Sequence, residues 1–341
     1  MQQPEHHHPA LKTPLCAQLG CDYPVLLAGM GGVARWELAA AVAQAGGYPT
    51  LGLVREPLAL IRAEVTALQA ATRRPFAVNL IPAATDPGLL DAQLGLCLDL
   101  GVRHFVFFWD VVPAALARVK AAGCTVLHQI GTPQAARQAE EAGADVLIAQ
   151  GFEAGGHVHG RLPTFALGAE VLAATRLPVV LSGGISTGAG LAAALALGAQ
   201  GVSCCTAFLA TRESFAHDHH KARVVAASGE DTVLTDVFVL NWPAHAAVRV
   251  LRNSVTDALQ GHLVGHDPDA LPRQVIAQDG DQPLLLFGTD SPLRSTIGAL
   301  DEMALYAGQG VGAITDCPGA RDRLHGLLRD ASARLSALTG G

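Results

Sequence analysis

Eight short apolar segments recur between residues 24 and 209 at intervals of roughly 20 to 33 residues, and alanine- and leucine-rich stretches separate them. Most are continuous apolar runs rather than alternating ones, which is typical of parallel strands buried on both faces. One strand and one helix fill such an interval, so the spacing predicts repeated strand–helix units. The predicted strands cover residues 24–30, 48–54, 75–81, 104–110, 125–130, 145–151, 178–184 and 201–209.

The ends of the predicted helices carry signals of their own. Glycine follows several of them directly before the next strand, as in AQAGG, LDLG, KAAG and ALGA, and glycine readily adopts the left-handed conformation that ends a helix. Asp86-Pro87 and Thr132-Pro133 each supply an N-cap followed by proline at the first helical position. Eight such units predict a (β/α)8 TIM barrel. A doubly wound open sheet is the alternative, but AGMGGVA after the first strand lacks the GxGxxG fingerprint.

The regular repeat ends after residue 211. Residues 212–305 mix helical and extended signals and become rich in Pro, Gly and Asp, and we interpret them as a smaller, mostly helical cap domain. Residues 1–211 and 306–341 then form the barrel domain. Within it, the sequence predicts that 306–316 return to the barrel mouth and that a last helix, about 318–338, packs on the outside.

Composition excludes several classes of function. The net charge is −7 and no cluster of Lys and Arg occurs, which argues against a nucleic-acid surface. No apolar stretch reaches membrane-spanning length without a Gly, Pro or charged residue, and the first residues lack the apolar core of a signal peptide. The seven cysteines include no CxxC pair, which indicates reduced intracellular thiols. We expect a cytoplasmic protein without membrane or nucleic-acid partners, and homo-oligomer formation stays open.

In a (β/α)8 barrel the active site is built at the carboxyl ends of the strands. Here those ends are polar or glycine-rich, and the seventh and eighth matter most, because barrels commonly bind phosphate there through backbone N–H groups. Two ordinary turns are the alternative interpretation. The predicted strand-end residues include Ala28, Gly29, Met30, Asn79, Gln129, Gln150, Ser182, Gly183, Gly184, Cys204, Cys205 and Thr206.

These segments resemble those of the nitronate monooxygenase (2-nitropropane dioxygenase) family of FMN-dependent barrels. The similarity runs from about residue 20 to 320, and its most specific part is EAGGH after the sixth strand, followed by the double glycine of the seventh. It rests on AGM (28–30), Asn79, QGFEAGGHVHG (150–160), LSGGIS (181–186), ALALGAQGV (194–202), TAFLAT (206–211), VRVLRNS (248–254) and YAGQG (306–310).

The resemblance implies FMN as the cofactor. It places Gly29 and Met30 beside the flavin ring, and it places Gly183 and Gly184 with residues 203–206 at the phosphate. With the neighbouring strand ends included, the expected cofactor-binding residues are Ala28, Gly29, Met30, Asn79, Gln129, Gln150, Gly155, Ser182, Gly183, Gly184, Ser203, Cys204, Cys205 and Thr206.

The sequence departs from the family at Cys205, where the family usually has glycine. A backbone N–H survives this change, but cysteine would be strained in the left-handed conformation that glycine tolerates. We therefore expect an altered phosphate site that still binds FMN.

His157 matches the family's catalytic histidine, which takes a proton from the carbon that bears a nitro group. The resemblance implies oxidation of alkyl nitronates or nitroalkanes with O2 to a carbonyl compound and nitrite. Imidazole suits the role of base because its usual pKa lies near neutral pH. A preformed nitronate has already lost this proton and should not need His157.

Other roles for the polar residues of the loop stay open. His157 is alternatively a structural or substrate-orienting histidine, and we interpret His159 as loop support and Glu153 as a carboxylate that binds loop amides. A zinc site from these three residues lacks further Cys or His ligands, so we expect no metal. We expect the HDHHK run at 217–221 to be a solvated helix face.

Three other functions compete with nitronate oxidation. An FMN-dependent enoyl-ACP reductase and an NAD(P)H:quinone reductase are enzymes that share this barrel, and a flavin-binding or sensing protein without turnover is the non-enzymatic alternative. Nitrite release from a nitronate without NADH would exclude the two reductases. Purified protein that takes up no FMN would exclude all of the flavin functions.

Overall fold

The computed structural model describes residues 7–243 and 246–339. The described residues contain an eight-stranded parallel sheet that closes on itself. The first strand pairs with the eighth, with Val25 opposite Val202, and Leu26 bridges to Tyr48 at the entry to the second. The predicted (β/α)8 barrel is therefore confirmed. Its strands are Val25–Leu27, Thr50–Gly52, Ala77–Leu80, His104–Phe107, Thr125–Ile130, Val146–Gln150, Val179–Ser182 and Gly201–Cys204.

Helices between the strands form the outer layer of the barrel. The predicted caps are present: Asp86 Oδ1 accepts from the amide of Gly88 at 2.9 Å, and Thr132 Oγ1 accepts from that of Ala135 at 3.1 Å. Left-handed glycines follow five of the helices, at Gly46, Gly101, Gly123, Gly143 and Gly198. The barrel helices are Trp36–Gln44, Leu58–Ala71, Pro87–Asp99, Pro113–Ala121, Pro133–Glu141, Thr164–Ala174, Gly188–Leu197 and Ala320–Thr339.

The last of these helices takes the eighth place in the ring. After the eighth strand and a short helix, Thr206–Leu209, the chain leaves the barrel and returns only at Ala320–Thr339. This helix packs between Gly188–Leu197 and Trp36–Gln44. The predicted outer helix is thus present, and the segment before it is inserted into a single strand–helix connection.

The core has two layers. One lies between the strands and the outer helices, and the other fills the amino-terminal end of the barrel. There the helix Pro14–Leu19 places Leu15 and Leu19 against the inward-facing Tyr48 and Leu127. This apolar plug closes the bottom of the barrel and leaves open space only towards the carboxyl ends of the strands.

The expectation that residues 212–305 are mostly helical is corrected by the structure. Two α-helices occur among the described residues of this segment, Asp218–Ala226 and Ser254–Ala258. Strands are more numerous there: Thr232–Thr235, Val248–Leu251, Val275–Asp279, Gln282–Leu285 and Thr296–Gly298. They form parts of two three-stranded sheets. The domain limits at 212 and 305 stay a prediction.

The extra strands have identifiable causes. Asp279 and Gln282 face each other across the two-residue turn Gly280-Asp281, in which Gly280 has φ +57°, and a two-residue Gly-Asp loop is itself a hairpin signal. Val248–Leu251 is the central strand of the other sheet. It pairs with Thr232–Thr235 on one edge and with Gly156–His157 of the barrel on the other, both antiparallel. This second sheet depends on residues far apart in the sequence, so local pattern alone did not predict it.

Replacement of Leu328 tests the packing of the last helix. Leu328 has no solvent exposure, and truncation of a buried leucine leaves a cavity. We expect Leu328→Ala to lower the free energy of unfolding by about 2–5 kcal/mol in urea titrations followed by circular dichroism. The exposed Arg321→Ala on the same helix should change it by less than about 0.5 kcal/mol. Equal effects of the two variants would contradict the assigned packing.

Candidate active site at the barrel mouth

A cavity of about 650 Å³ opens at the carboxyl ends of the barrel strands. It lies where the sequence predicted the site, and the structure brings most of the predicted residues together around it although they come from distant parts of the chain. The predicted residues that line it are Ala28, Gly29, Met30, Asn79, Gln129, Gln150, Gly155, His157, Ser182, Gly183, Gly184, Ser203, Cys205 and Thr206.

Cys204 is the predicted cofactor residue that the structure places elsewhere. Side chains alternate along a strand, so Ser203 faces the cavity while Cys204 points into the layer between strands and helices, where it is buried. Burial raises the pKa of its thiol to about 12. The Cys204 side chain therefore does not line the cavity, and its membership of the cofactor site stays a prediction.

The ends of the seventh and eighth strands expose backbone amides. Gly183 and Gly184 have φ of +110° and +67°, a conformation that glycine adopts without strain. Among the described residues, no acceptor takes a hydrogen bond from the amides of Gly183, Gly184 or Cys205. Such free N–H groups at a cavity wall are the donors that a phosphate group requires.

Cys205 does not adopt the strained left-handed conformation that was a concern at this position, where the family usually has glycine. Its φ is −105°, which a cysteine reaches readily. Burial raises the pKa of its thiol to about 12, so the side chain is uncharged at neutral pH. The Cys205 thiol therefore adds no negative charge beside the free amides.

The loop after the sixth strand is held in place by a sheet. Gly156 and His157 pair with Arg249 and Val248. The carbonyl of His157 also accepts a hydrogen bond from Gln150 Nε2 at 3.0 Å. Backbone pairing on one edge and a side-chain hydrogen bond therefore fix the position of His157 in this glycine-rich loop.

The His157 imidazole lies in an aromatic environment. It stacks on Trp242 with ring centroids 3.7 Å apart and an angle of 24°, and the edge of Trp109 lies 6.0 Å away. Its Nε2 is buried without a hydrogen-bond partner among the described residues. Burial, with a smaller effect of the Arg55 charge, lowers the pKa of His157 to about 3. The ring is therefore neutral at physiological pH.

His159 and Glu153 occupy supporting positions. His159 Nε2 lies 3.2 Å from Asp110 Oδ1, outside the cavity lining. Glu153 Oε2 accepts hydrogen bonds from the amide and hydroxyl of Thr164, both at 2.8 Å. Within residues 7–243 and 246–339, no three His, Cys, Asp or Glu side chains converge as a metal site.

The HDHHK run is not the solvated face that we expected. His220 and Lys221 are buried, and the two ring nitrogens of His220 lie 3.0 Å from the carbonyl of Tyr306 and 3.2 Å from Ser291 Oγ. His220 thus links Tyr306, which lies in the cavity wall at the start of residues 306–316, to Ser291 of the inserted segment.

Sequence reasoning did not select several residues of the cavity wall. Arg55 follows the second strand directly, and Asn241, Trp242 and Asp290 come from the inserted segment. A charged residue after a barrel strand was a usable signal for Arg55. No local pattern indicated Trp242, because its position depends on how the inserted segment folds over the barrel.

Comparisons with known proteins agree with this geometry. The family model described as nitronate monooxygenase matches residues 12–330. A nitroalkane oxidase structure from Streptomyces ansochromogenes is 30% identical, with a TM-score of 0.78 and coverage of 94% of this chain and 99% of the other. FabK from Thermotoga maritima has a TM-score of 0.78 and 27% identity, and the coverages are 96% and 99%.

A third relative has a different named activity. It is the (3aS,4S,5R,7aS)-5-hydroxy-7a-methyl-1-oxo-octahydro-1H-indene-4-carboxyl-CoA dehydrogenase of Mycobacterium tuberculosis, 31% identical over 95% of this chain and 97% of the relative. The barrel, the cavity and the family match define an oxidoreductase. The chain belongs to the nitronate monooxygenase family. Among its described residues, no helix is long and apolar enough to cross a membrane.

A substitution at Gly155 tests the close packing of the cavity wall. A Cβ atom there would lie 2.5 Å from the amide nitrogen of Gly308, whereas a Cβ at Gly31, also in the lining, meets nothing within 4 Å. We expect Gly155→Ala to lower the free energy of unfolding by about 1–3 kcal/mol. In the same urea titrations Gly31→Ala should stay within about 0.5 kcal/mol of the original protein. An unchanged Gly155→Ala would show that the two segments are not in contact.

Acid should destabilise the protein through two histidines without solvent exposure, His128 and His220. Burial lowers the pKa of each from 6.5 to about 4. Between these values the unfolded chain binds more protons than the folded one, so the free energy of unfolding decreases as the pH falls below 6.5. Each histidine contributes a slope of about 1.4 kcal/mol per pH unit.

The measurement is urea unfolding at pH 7.5, 6.5 and 5.5 for the original protein and for His220→Gln. The variant should have a lower free energy of unfolding at every pH. Its free energy of unfolding should also change less steeply with pH, by up to the slope that one histidine contributes. A slope identical in both proteins would mean that His220 is protonated in the folded state.

Proposed function

We propose that this chain is an FMN-dependent nitronate monooxygenase that oxidises alkyl nitronates, and more slowly nitroalkanes, with O2 to a carbonyl compound and nitrite. The observation that carries the proposal is the neutral His157, with a buried Nε2, in the lining of a cavity that also presents free amides. Membership of the nitronate monooxygenase family supports the substrate class.

The residues of the cavity fit FMN. The amides of Gly183, Gly184 and Cys205 would hold the phosphate, since they lack acceptors within the described chain. Gln150 Oε1 is buried without a partner there and would accept from a polar edge of the ring. A Cβ at Gly29 would lie 2.2 Å from Asn79 Cβ, so glycine keeps this wall close. When bound, FMN supplies the electron acceptor for the substrate and the donor for O2.

The chain itself supplies proton transfer. His157 accepts a proton at a ring nitrogen, and its stacking on Trp242 holds the ring in the cavity lining. Its pKa of about 3 makes it fully available as an acceptor at neutral pH but a weak base. A nitronate, which already lacks the proton, is therefore the faster substrate in this proposal.

A second candidate function is oxidation or reduction of an acyl thioester. It is favoured by the full-length similarity to a relative named as a CoA-thioester dehydrogenase. A groove of about 500 Å³ adjoins the cavity and shares Asn241 and Trp242 with it, which gives room for a long substituent. Enoyl-ACP reduction is one form of this second candidate, because an enoyl-ACP is itself an acyl thioester. The quinone reductase function lacks an observation of comparable weight in this cavity.

Three assays decide between the candidates. Purified protein should release FMN on heating, identified by chromatography. It should release nitrite from propyl-2-nitronate in air without NADH. Protein that carries FMN but releases nitrite only at background rates, while it oxidises NADH with an enoyl-CoA, would replace the proposal by the thioester function.

Replacement of His157 tests its role as base, with His159 as a matched control from the same loop. We expect His157→Asn to lower kcat/KM for 2-nitropropane by about 100-fold or more and that for propyl-2-nitronate by less than about tenfold. His159→Asn should leave both substrates within a few-fold. Equal losses on the two substrates in His157→Asn would exclude proton abstraction as its function.

The pH profile gives an independent prediction. Because the pKa of His157 is about 3, the histidine is already unprotonated throughout the neutral range. The plot of kcat/KM for 2-nitropropane in the original protein should therefore show no decrease centred on pH 6.5 as the pH falls. A decrease with that midpoint would show that the base has an ordinary imidazole pKa and is not the His157 described here.

A further inference from the structure

Arg55 occupies an unusual position in the cavity wall. It follows the second barrel strand, Thr50–Gly52, and has φ +56°, a conformation that only three non-glycine residues adopt among those described. Trp109, which touches His157, is another. Non-glycine residues in this conformation are mildly strained and are enriched at functional sites. Arg55 thus has a mildly strained backbone at the point where its side chain enters the cavity.

The guanidinium of Arg55 is fixed but not neutralised. It lies over the Trp242 ring, 5.0 Å from the centroid, and its Nη1 donates to the carbonyl of Asn241. Within the described chain, no carboxylate oxygen lies within 4.0 Å of it, and its other N–H groups have no acceptor. Asp290 lies nearby, but one of its oxygens accepts from Asn241 Nδ2 at 3.1 Å.

A partly buried cation without a bound anion is unfavourable, and it is compensated when an anion pairs with it. Guanidinium donates two parallel hydrogen bonds to a planar group with two oxygens. A nitronate carries its negative charge on such a pair of oxygens. Arg55 and His157 both contact the Trp242 ring, with the guanidinium carbon 5.0 Å and the imidazole centroid 3.7 Å from its centroid, so a group bound to Arg55 lies near His157.

We propose that Arg55 determines substrate specificity by binding the two oxygens of the nitronate group, which favours anionic nitronates over neutral nitroalkanes. This inference rests on the proposed function. It adds that a carboxylate of the same shape competes for the site. The bound anion also offsets the repulsion between the positive charge of Arg55 and the protonated imidazole of His157.

The experiment compares Arg55→Met and Arg55→Lys with Arg321→Met, which removes an exposed arginine from the outer helix Ala320–Thr339. Steady-state kinetics give KM and kcat for propyl-2-nitronate and 2-nitropropane. Isothermal titration calorimetry of the holoenzyme gives Kd for 2-methylpropanoate, the carboxylate analogue of the nitronate. Circular dichroism confirms that each variant is folded.

We expect Arg55→Met to raise KM for the nitronate and Kd for 2-methylpropanoate by about 10- to 100-fold, as for loss of a charged hydrogen-bonded pair. Its KM for 2-nitropropane should change less than about threefold. Arg55→Lys should recover part of the loss, because it restores the charge without the planar fork, and Arg321→Met should match the original protein.

Two results would overturn the inference: an unchanged KM and Kd in Arg55→Met, or an equal rise in KM for both substrates, which a merely structural role produces. The carboxylate titration also separates this inference from the proposed function. If the original protein releases no nitrite but binds 2-methylpropanoate through Arg55, nitronate oxidation fails and the anion site stands. If it releases nitrite but does not bind the carboxylate, the anion site fails alone.

Discussion

Closure of the parallel sheet is the constraint on which the rest of the structure depends. Because Val25 pairs with Val202 and the other strands run parallel between them, all eight carboxyl ends meet on one rim. Gly29, Gly155 and Gly184 are far apart in the sequence but line one cavity for this reason. The apolar plug around Leu15 closes the opposite end. The location of the site is therefore a direct result of strand direction, and the residues that end the strands supply part of its chemistry.

The parts of the molecule that local sequence specifies were predictable. Continuous apolar runs and helix caps such as Asp86 specify the strand–helix units one at a time, and glycines after strands mark the rim. Two kinds of feature were not predictable. Whether a strand-end residue faces the cavity is set by the register of the strand, which separates Ser203 from Cys204. Contacts across the inserted segment, such as Trp242 on His157 and Val248 beside it, arise from tertiary packing that no local pattern encodes.

The cavity combines two polar regions of different character. On one wall, uncharged donors dominate: free backbone amides lie beside the neutral thiol of Cys205. On the other, Arg55 and His157 lie among aromatic rings, where burial lowers the pKa of both. Low-dielectric surroundings make charge at this second wall sensitive to whatever binds there. The inserted segment supplies Asn241 and Trp242 to it, whereas barrel strands alone supply the amide wall.

The position of the last barrel helix has a consequence for folding during translation. Ala320–Thr339 covers the seam between Trp36–Gln44 and Gly188–Leu197, yet it is synthesised after all eight barrel strands and the inserted segment. During translation the strands can assemble while this seam stays uncovered, until the inserted segment and the helix have both left the ribosome. Such long-range closure is slow and exposes apolar surface. A nascent chain arrested before residue 320 is therefore the form of this protein with most need of chaperone protection.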